Sequence, residues 1–141
     1  MEPVLQVALD FMHAKRAFQA AKEAVAGGAD WVEAGTPLIK SEGVEVIRQL
    51  RRMFPDKVLV ADLKIMDTGA FEVEIAAKAG ADVITVMGVT DDATILEALK
   101  AARRYGAKIM VDLMRVEDKP KRAKELEALG VDYLNLHVSI D

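Results

Sequence analysis

Short apolar runs rich in β-branched residues alternate along the chain with longer segments whose apolar residues recur at helical spacing. The runs at 4–9, 31–34, 58–61, 83–86, 109–111 and 133–136 predict strands, and the segments at 14–26, 42–53, 70–79, 92–104 and 119–129 predict helices. Strict strand-helix alternation implies a parallel sheet with right-handed crossovers. Strands that are apolar at nearly every position imply that both sheet faces are covered.

A longer repeat lies over this alternation. Gly28-Ala29-Asp30-Trp31 recurs as Gly80-Ala81-Asp82-Val83 and as Gly130-Val131-Asp132-Tyr133, each closing a helix and opening a strand. The glycine falls just past the helix end, where a positive φ is favoured. The odd strands carry their own mark, ending in Asp10, Asp62 and Asp112. Both marks are spaced 52 and then 50 residues apart (28, 80, 130 and 10, 62, 112). One βα unit takes half of that, so eight would need about 200 residues, the lower end for a (β/α)₈ TIM barrel. The 141 residues supply six such units and stop just past a strand. The expectation is therefore one barrel domain over residues 1–141, truncated after strand six, whose first and sixth strands are open edges. The competing architecture is a complete six-stranded open sheet of flavodoxin type, which suits the length. It accounts less well for the even repeat and for the missing Gly-rich phosphate turn after strand one.

Composition narrows the chemistry. With 52% hydrophobic and 30% charged residues, the chain can form one sizeable core. There is no cysteine, which excludes disulfides, thiolate nucleophiles and thiolate-bound metals. Any metal must be held by carboxylates, waters or the two histidines, an inventory that suits a hard ion such as Mg²⁺. The net charge of −4 has no basic block, which argues against nucleic acid as a partner. The basic cluster Lys119, Lys121, Arg122 and Lys124 reads as a solvated helix face. Apolar runs are too short to span a membrane, and a cytoplasmic protein is expected.

In parallel α/β folds the strand C-termini face the active site. Asp10, Glu33, Asp62, Lys64, Asp67, Asp112 and His137 stand there. Residues two apart on a strand share a face, so Asp62 and Lys64 project together into the mouth, with Asp67 beyond them, as an acid-base-acid cluster. A lysine between carboxylates stays an ammonium, suited to a developing oxyanion rather than to a Schiff base. The bland alternative is a structural ion pair. Glu33, on an otherwise apolar strand, is costly to bury unpaired. With Asp62 it offers two carboxylates to a divalent ion, or else it is simply hydrogen-bonded. His137 suits proton abstraction next to a carbonyl, and His13 reads as surface. Asp112 has no cluster evident around it and is expected to pair with Arg115.

The motif Asp62-x-Lys64-x-x-Asp67 on strand three resembles the signature of the orotidine-monophosphate-decarboxylase-like superfamily, and the resemblance runs over all 141 residues. True decarboxylases of orotidine monophosphate place a lysine at the end of strand two, where this chain has Glu33. The stretch from Glu33 to Lys40 resembles the metal-binding sugar-phosphate branch, which contains hexulose-6-phosphate synthases and 3-keto-L-gulonate-6-phosphate decarboxylases. Asp62-Leu63-Lys64-Ile65-Met66-Asp67-Thr68-Gly69 is similar to the synthases, which usually have threonine where Ile65 stands. The decarboxylases usually have alanine at Met66, and an arginine in the neighbourhood of Ile140. Val138-Ser139 departs from the Thr-Gly that commonly follows the synthase histidine.

The resemblance implies an Mg²⁺-assisted aldol addition of formaldehyde to ribulose 5-phosphate and its reverse. Asp10 would contact substrate hydroxyls, Glu33 and Asp62 would bind the metal, Lys64 would stabilise the enediolate and His137 would remove the proton. It further implies a homodimer in which Asp67 reaches the partner's site, while exposed edges favour self-association of some kind. The family grips phosphate after strands seven and eight, segments absent from this sequence. The alternatives are a related decarboxylase and an inactive barrel fragment.

Overall fold

The computed structural model describes residues 2–141. Its elements run β1 (Gln6–Leu9), α1 (Ala14–Ala26), β2 (Trp31–Ala34), α2 (Thr36–Glu42), α3 (Glu45–Met53), β3 (Val58–Ile65), α4 (Gly69–Ala79), β4 (Val83–Met87), α5 (Asp92–Tyr105), β5 (Lys108–Asp112), α6 (Lys119–Leu129) and β6 (Tyr133–Asn135). All strand pairs are parallel, in the order β1-β2-β3-β4-β5-β6. A doubly wound sheet would reverse direction at a switch point, so the flavodoxin-type alternative is excluded.

The sheet is also rolled. The rings of Trp31 on β2 and Tyr133 on β6 meet edge to face with centroids 5.5 Å apart. In a flat sheet those strands, four steps apart, would be separated by roughly 19 Å. Six strands therefore form the arc of a TIM barrel. Leu9, Val32, Ala34, Ala61, Ile84, Val86, Ile109 and Val111 belong to the buried core, which is completed by helix residues such as Ala21, Ile47, Leu50, Val73, Ala76, Ile95 and Ala98. Val4 and Leu5 beside β1, and Leu134 and Leu136 at β6, are exposed, as expected of the outer strands of such an arc. No helix among the described residues is long and apolar enough to cross a membrane.

The repeated Gly-x-Asp has a structural cause. Gly28, Gly80 and Gly130 all have positive φ, where an L side chain would be strained. The aspartates each accept the backbone N–H at the foot of the preceding strand: Asp30 from Leu5, Asp82 from Leu59 and Asp132 from Ile109, all at 2.8 Å. Arg51 pairs with Asp82 and donates to the Gly80 carbonyl, and Arg103 does the same with Asp132 and Gly130. The repeat thus clamps one βα unit to the next at the end of the barrel away from the strand C-termini.

Three expectations need correction. The predicted helix 42–53 begins only at Glu45, as α3, and a separate unpredicted helix, α2, precedes it over Thr36–Glu42, the two divided at Gly43 with φ 72°. Strand three runs on to Ile65 rather than stopping at Ala61. Arg122 does not lie on a solvated face. Its side chain is only 16% exposed, and its guanidinium donates to the carbonyls of Gly88 and Thr90 while pairing with Asp92 and Glu125.

Candidate active site

The strand C-termini open into a cavity of about 650 Å³ whose lining includes Asp10, Glu33, Thr36, Asp62, Lys64 and His137. Five of the six proposed site residues therefore converge. Asp10 follows β1 and sits at the exposed rim. Its approach depends on Gly35 at the end of β2: a Cβ there would lie 2.1 Å from Asp10 Oδ1 and 2.7 Å from the Leu9 carbonyl oxygen. Asp67 is not in the cavity. It sits on the exposed loop before α4, where its carboxylate accepts the Thr68 N–H at 2.7 Å, so the acid-base-acid cluster is not formed within one chain.

Asp62 is buried, and both of its carboxylate oxygens accept hydrogen bonds. Its Oδ2 accepts from Lys64 Nζ at 2.7 Å and its Oδ1 from the Thr85 hydroxyl at 2.7 Å. Thr36 Oγ1 lies 2.8 Å from the Asp62 carbonyl oxygen and 2.9 Å from Oδ2, so its single proton serves one of them at a time. Burial pulls the Lys64 ammonium toward neutrality. The hydrogen bond to Asp62 and the charges of Asp62, Asp112 and Glu33 outweigh it and hold its pKa above the ordinary lysine value. Lys64 is thus a fixed cation, as its sequence neighbours suggested.

Asp112 stands at the strand end where it was expected, but its partner differs from the one expected. It is fully buried and pairs not with Arg115 but with His137, whose Nδ1 lies 2.7 Å from Asp112 Oδ2. Lys64 Nζ lies 3.6 Å from the same oxygen, and the Met114 N–H donates to Oδ1 at 2.8 Å. The signal was present in the sequence, since Asp112 ends β5 as Asp62 and Asp10 end their repeats. With Asp112 ionised, Nδ1 of a neutral imidazole must be the donor, which leaves Nε2 unprotonated and able to act as a base.

Glu33 lies beside Asp62 and Asp10 and accepts a hydrogen bond from Gln6, one turn of the pleat below it on β1. Burial, and then the Asp62 carboxylate, push its pKa up to about 7, against the lowering effect of the Gln6 bond. No group of three or more His, Asp or Glu side chains among the described residues is gathered tightly enough to hold a metal by itself. The pair Glu33 and Asp62 offers two neighbouring carboxylates, a donor set that fits a hard divalent ion keeping most of its waters, whose charge would offset both the burial and the Asp62 repulsion that Glu33 experiences.

A family model for orotidine 5′-phosphate decarboxylase / HUMPS matches residues 3–141. The chain belongs to that family. It is 46% identical to the 3-hexulose-6-phosphate synthase of Bacillus subtilis (strain 168) over 137 residues, which are 97% of this chain and 65% of that protein. A crystal structure of 3-hexulose-6-phosphate synthase superimposes with a TM-score of 0.95 at 45% identity, covering 99% of this chain and 67% of that one. The 3-keto-L-gulonate-6-phosphate decarboxylase of Vibrio cholerae O1 biovar El Tor follows the same path with a TM-score of 0.89 at 33% identity, over 95% of this chain and 62% of that one. The chain thus spans about two thirds of the length of these family members.

Proposed function

We propose that this barrel mouth carries the chemistry of an aldehyde-lyase of the 3-hexulose-6-phosphate synthase type, adding formaldehyde to ribulose 5-phosphate and reversing that addition. The observation that carries the reading is that Asp62, Lys64 and His137 line one cavity, with the fully buried Asp112 joining Lys64 to His137. A fixed cation and an oriented imidazole stand side by side, the two groups that enolisation next to a carbonyl requires. The identity to 3-hexulose-6-phosphate synthases supports the choice of substrates.

In this reading His137 Nε2 takes the proton from the sugar carbon beside the carbonyl. The released electron pair moves onto the carbonyl oxygen, and the Lys64 ammonium stabilises the enediolate. The nucleophilic carbon then forms a bond to formaldehyde, whose oxygen takes up a proton. Asp10, at the rim, binds sugar hydroxyls. Asp112 holds the imidazole in the tautomer the first step needs and stabilises the imidazolium it produces. Glu33 and Asp62 would hold Mg²⁺, which when bound supplies Lewis-acid polarisation of the sugar oxygens. The exposed position of Asp67, outside its own mouth, supports a homodimer in which it reaches the partner's site. A cytoplasmic location suits soluble phosphorylated substrates.

The second reading is decarboxylation of 3-keto-L-gulonate 6-phosphate, favoured by the likeness to the Vibrio cholerae decarboxylase. The apolar Val138 and Ile140 at the cavity edge, with no arginine among its lining residues, support the synthase instead. The test incubates the purified chain with ribulose 5-phosphate, formaldehyde and Mg²⁺ and follows formaldehyde loss with mass detection of the hexulose phosphate. Consumption that depends on ribulose 5-phosphate is expected. Carbon dioxide release from 3-keto-L-gulonate 6-phosphate without aldol product would favour the second reading, and neither reaction would mark a barrel arc that acts only through assembly.

A further inference from the structure

We propose that Thr85 on β4 is a positioning residue of the site, holding the Asp62 carboxylate and the Lys64 backbone in their working geometry through one hydroxyl. The ladder between β3 and β4 is interrupted where the chemistry lies. Ala61 stands opposite Ile84 and Ile65 opposite Val86, so Asp62, Leu63 and Lys64 on β3 face the single residue Thr85 on β4. Such a bulge re-aims side chains and leaves a backbone donor without its ladder partner.

Thr85 supplies that partner. Its Oγ1 accepts the Lys64 N–H at 2.9 Å and donates its one proton to Asp62 Oδ1 at 2.7 Å. The directions are forced, since an N–H can only donate and a carboxylate only accept. Lys64 adopts φ 48°, a left-handed conformation rare for a side chain of its size, and such a conformation persists only when its surroundings hold it there. Thr85 is 2% exposed, so water has little access to replace it. Through one buried hydroxyl, the bulge that turns Lys64 into the mouth and the carboxylate that receives its ammonium are fixed to the same strand.

The test compares Thr85→Val, which keeps shape and loses the hydroxyl, with Thr85→Ser, which keeps the hydroxyl. Crystal structures come first, because they do not rest on the aldol reading. In the valine variant Lys64 should leave the positive-φ region and its ammonium should separate from Asp62, whereas the serine variant should keep both features. The kinetic arm rests on that reading: kcat should fall by about 100-fold in the valine variant, the scale of a misplacement of about 1 Å, with KM changed by less than about threefold. The serine variant should recover most of the rate. Thr85→Ala, which lacks the hydroxyl and relieves crowding, gives the same readouts should the valine variant not fold. Lys64 unchanged in structures lacking the hydroxyl, or a serine variant as impaired as the valine one, would overturn the proposal. Absence of turnover in the parent chain would instead count against the aldol reading and leave the structural arm to decide.

Discussion

Replacing Glu33 by glutamine should stabilise the metal-free protein at neutral pH. Glu33 is raised from the ordinary 4.5 to about 7, first by burial and then by the neighbouring Asp62 carboxylate. A carboxyl whose folded pKa exceeds its unfolded one binds the proton more tightly in the folded state. Its contribution to stability is complete below about pH 4.5 and is lost as pH rises through 7. At about 1.4 kcal/mol per pKa unit, the loss is at most roughly 3.5 kcal/mol, and partial exposure and water reduce it. Glutamine cannot ionise, and its carbonyl still accepts from Gln6. The variant should therefore match the parent near pH 4.5 and exceed it at pH 8 by about 1–3 kcal/mol, or several degrees in Tm for a chain of this size. Urea denaturation at pH 4.5, 6 and 8 in EDTA reads the effect. Added Mg²⁺ should close the gap at pH 8 by stabilising the parent and not the variant. Parallel stability-pH curves for the two proteins would refute the argument.

The other residues lead to further expectations. Asp112→Asn offers His137 an amide in place of a carboxylate, which disfavours the tautomer with Nε2 free, so kcat should fall by roughly 10²–10⁴-fold with little change in KM, read by steady-state kinetics. Gly35→Ala places a methyl group 2.1 Å from Asp10 Oδ1 and 2.7 Å from a backbone carbonyl, so it should cost about 1–3 kcal/mol in denaturation and raise KM by displacing Asp10. The exposed strands at both ends of the arc, with Leu134 38% and Leu136 80% exposed, should drive self-association, seen by light scattering across a dilution series. A stable monomer at every concentration would show that these edges do not pair.

The barrel was legible because its cause is periodic. Strand-helix alternation, the positive-φ glycines and the aspartates that cap neighbouring strands all repeat with the βα pair, so the sequential strand order followed from spacing. The mouth was legible for the same reason, since strand ends are where parallel barrels gather their side chains, and Asp10, Glu33, Asp62, Lys64 and His137 do share one cavity. What escaped depends on through-space partners. Asp112 and His137 are 25 residues apart and meet only because β5 and β6 pair in register. Asp67 is next in the motif after Lys64, yet the chain turns away there toward α4 and leaves it outside the mouth. Alternation predicts that Asp62 and Lys64 share a face, but not the bulge opposite Thr85 or the left-handed Lys64 that goes with it. Arg122 looked like one of four surface cations, and only its carbonyl partners in the loop after β4 reveal a clamp.

In the proposed reaction His137, held by the Asp112 carboxylate that Lys64 also approaches, removes a proton beside a sugar carbonyl. Proton NMR of ribulose 5-phosphate in D₂O with Mg²⁺ and no formaldehyde tests it without any requirement for bond formation. Protein-dependent loss of the proton signal at the carbon beside the carbonyl is expected in the parent chain, and its abolition in His137→Ala. Exchange that proceeds equally fast in His137→Ala, or none in the parent at high protein concentration, would contradict it.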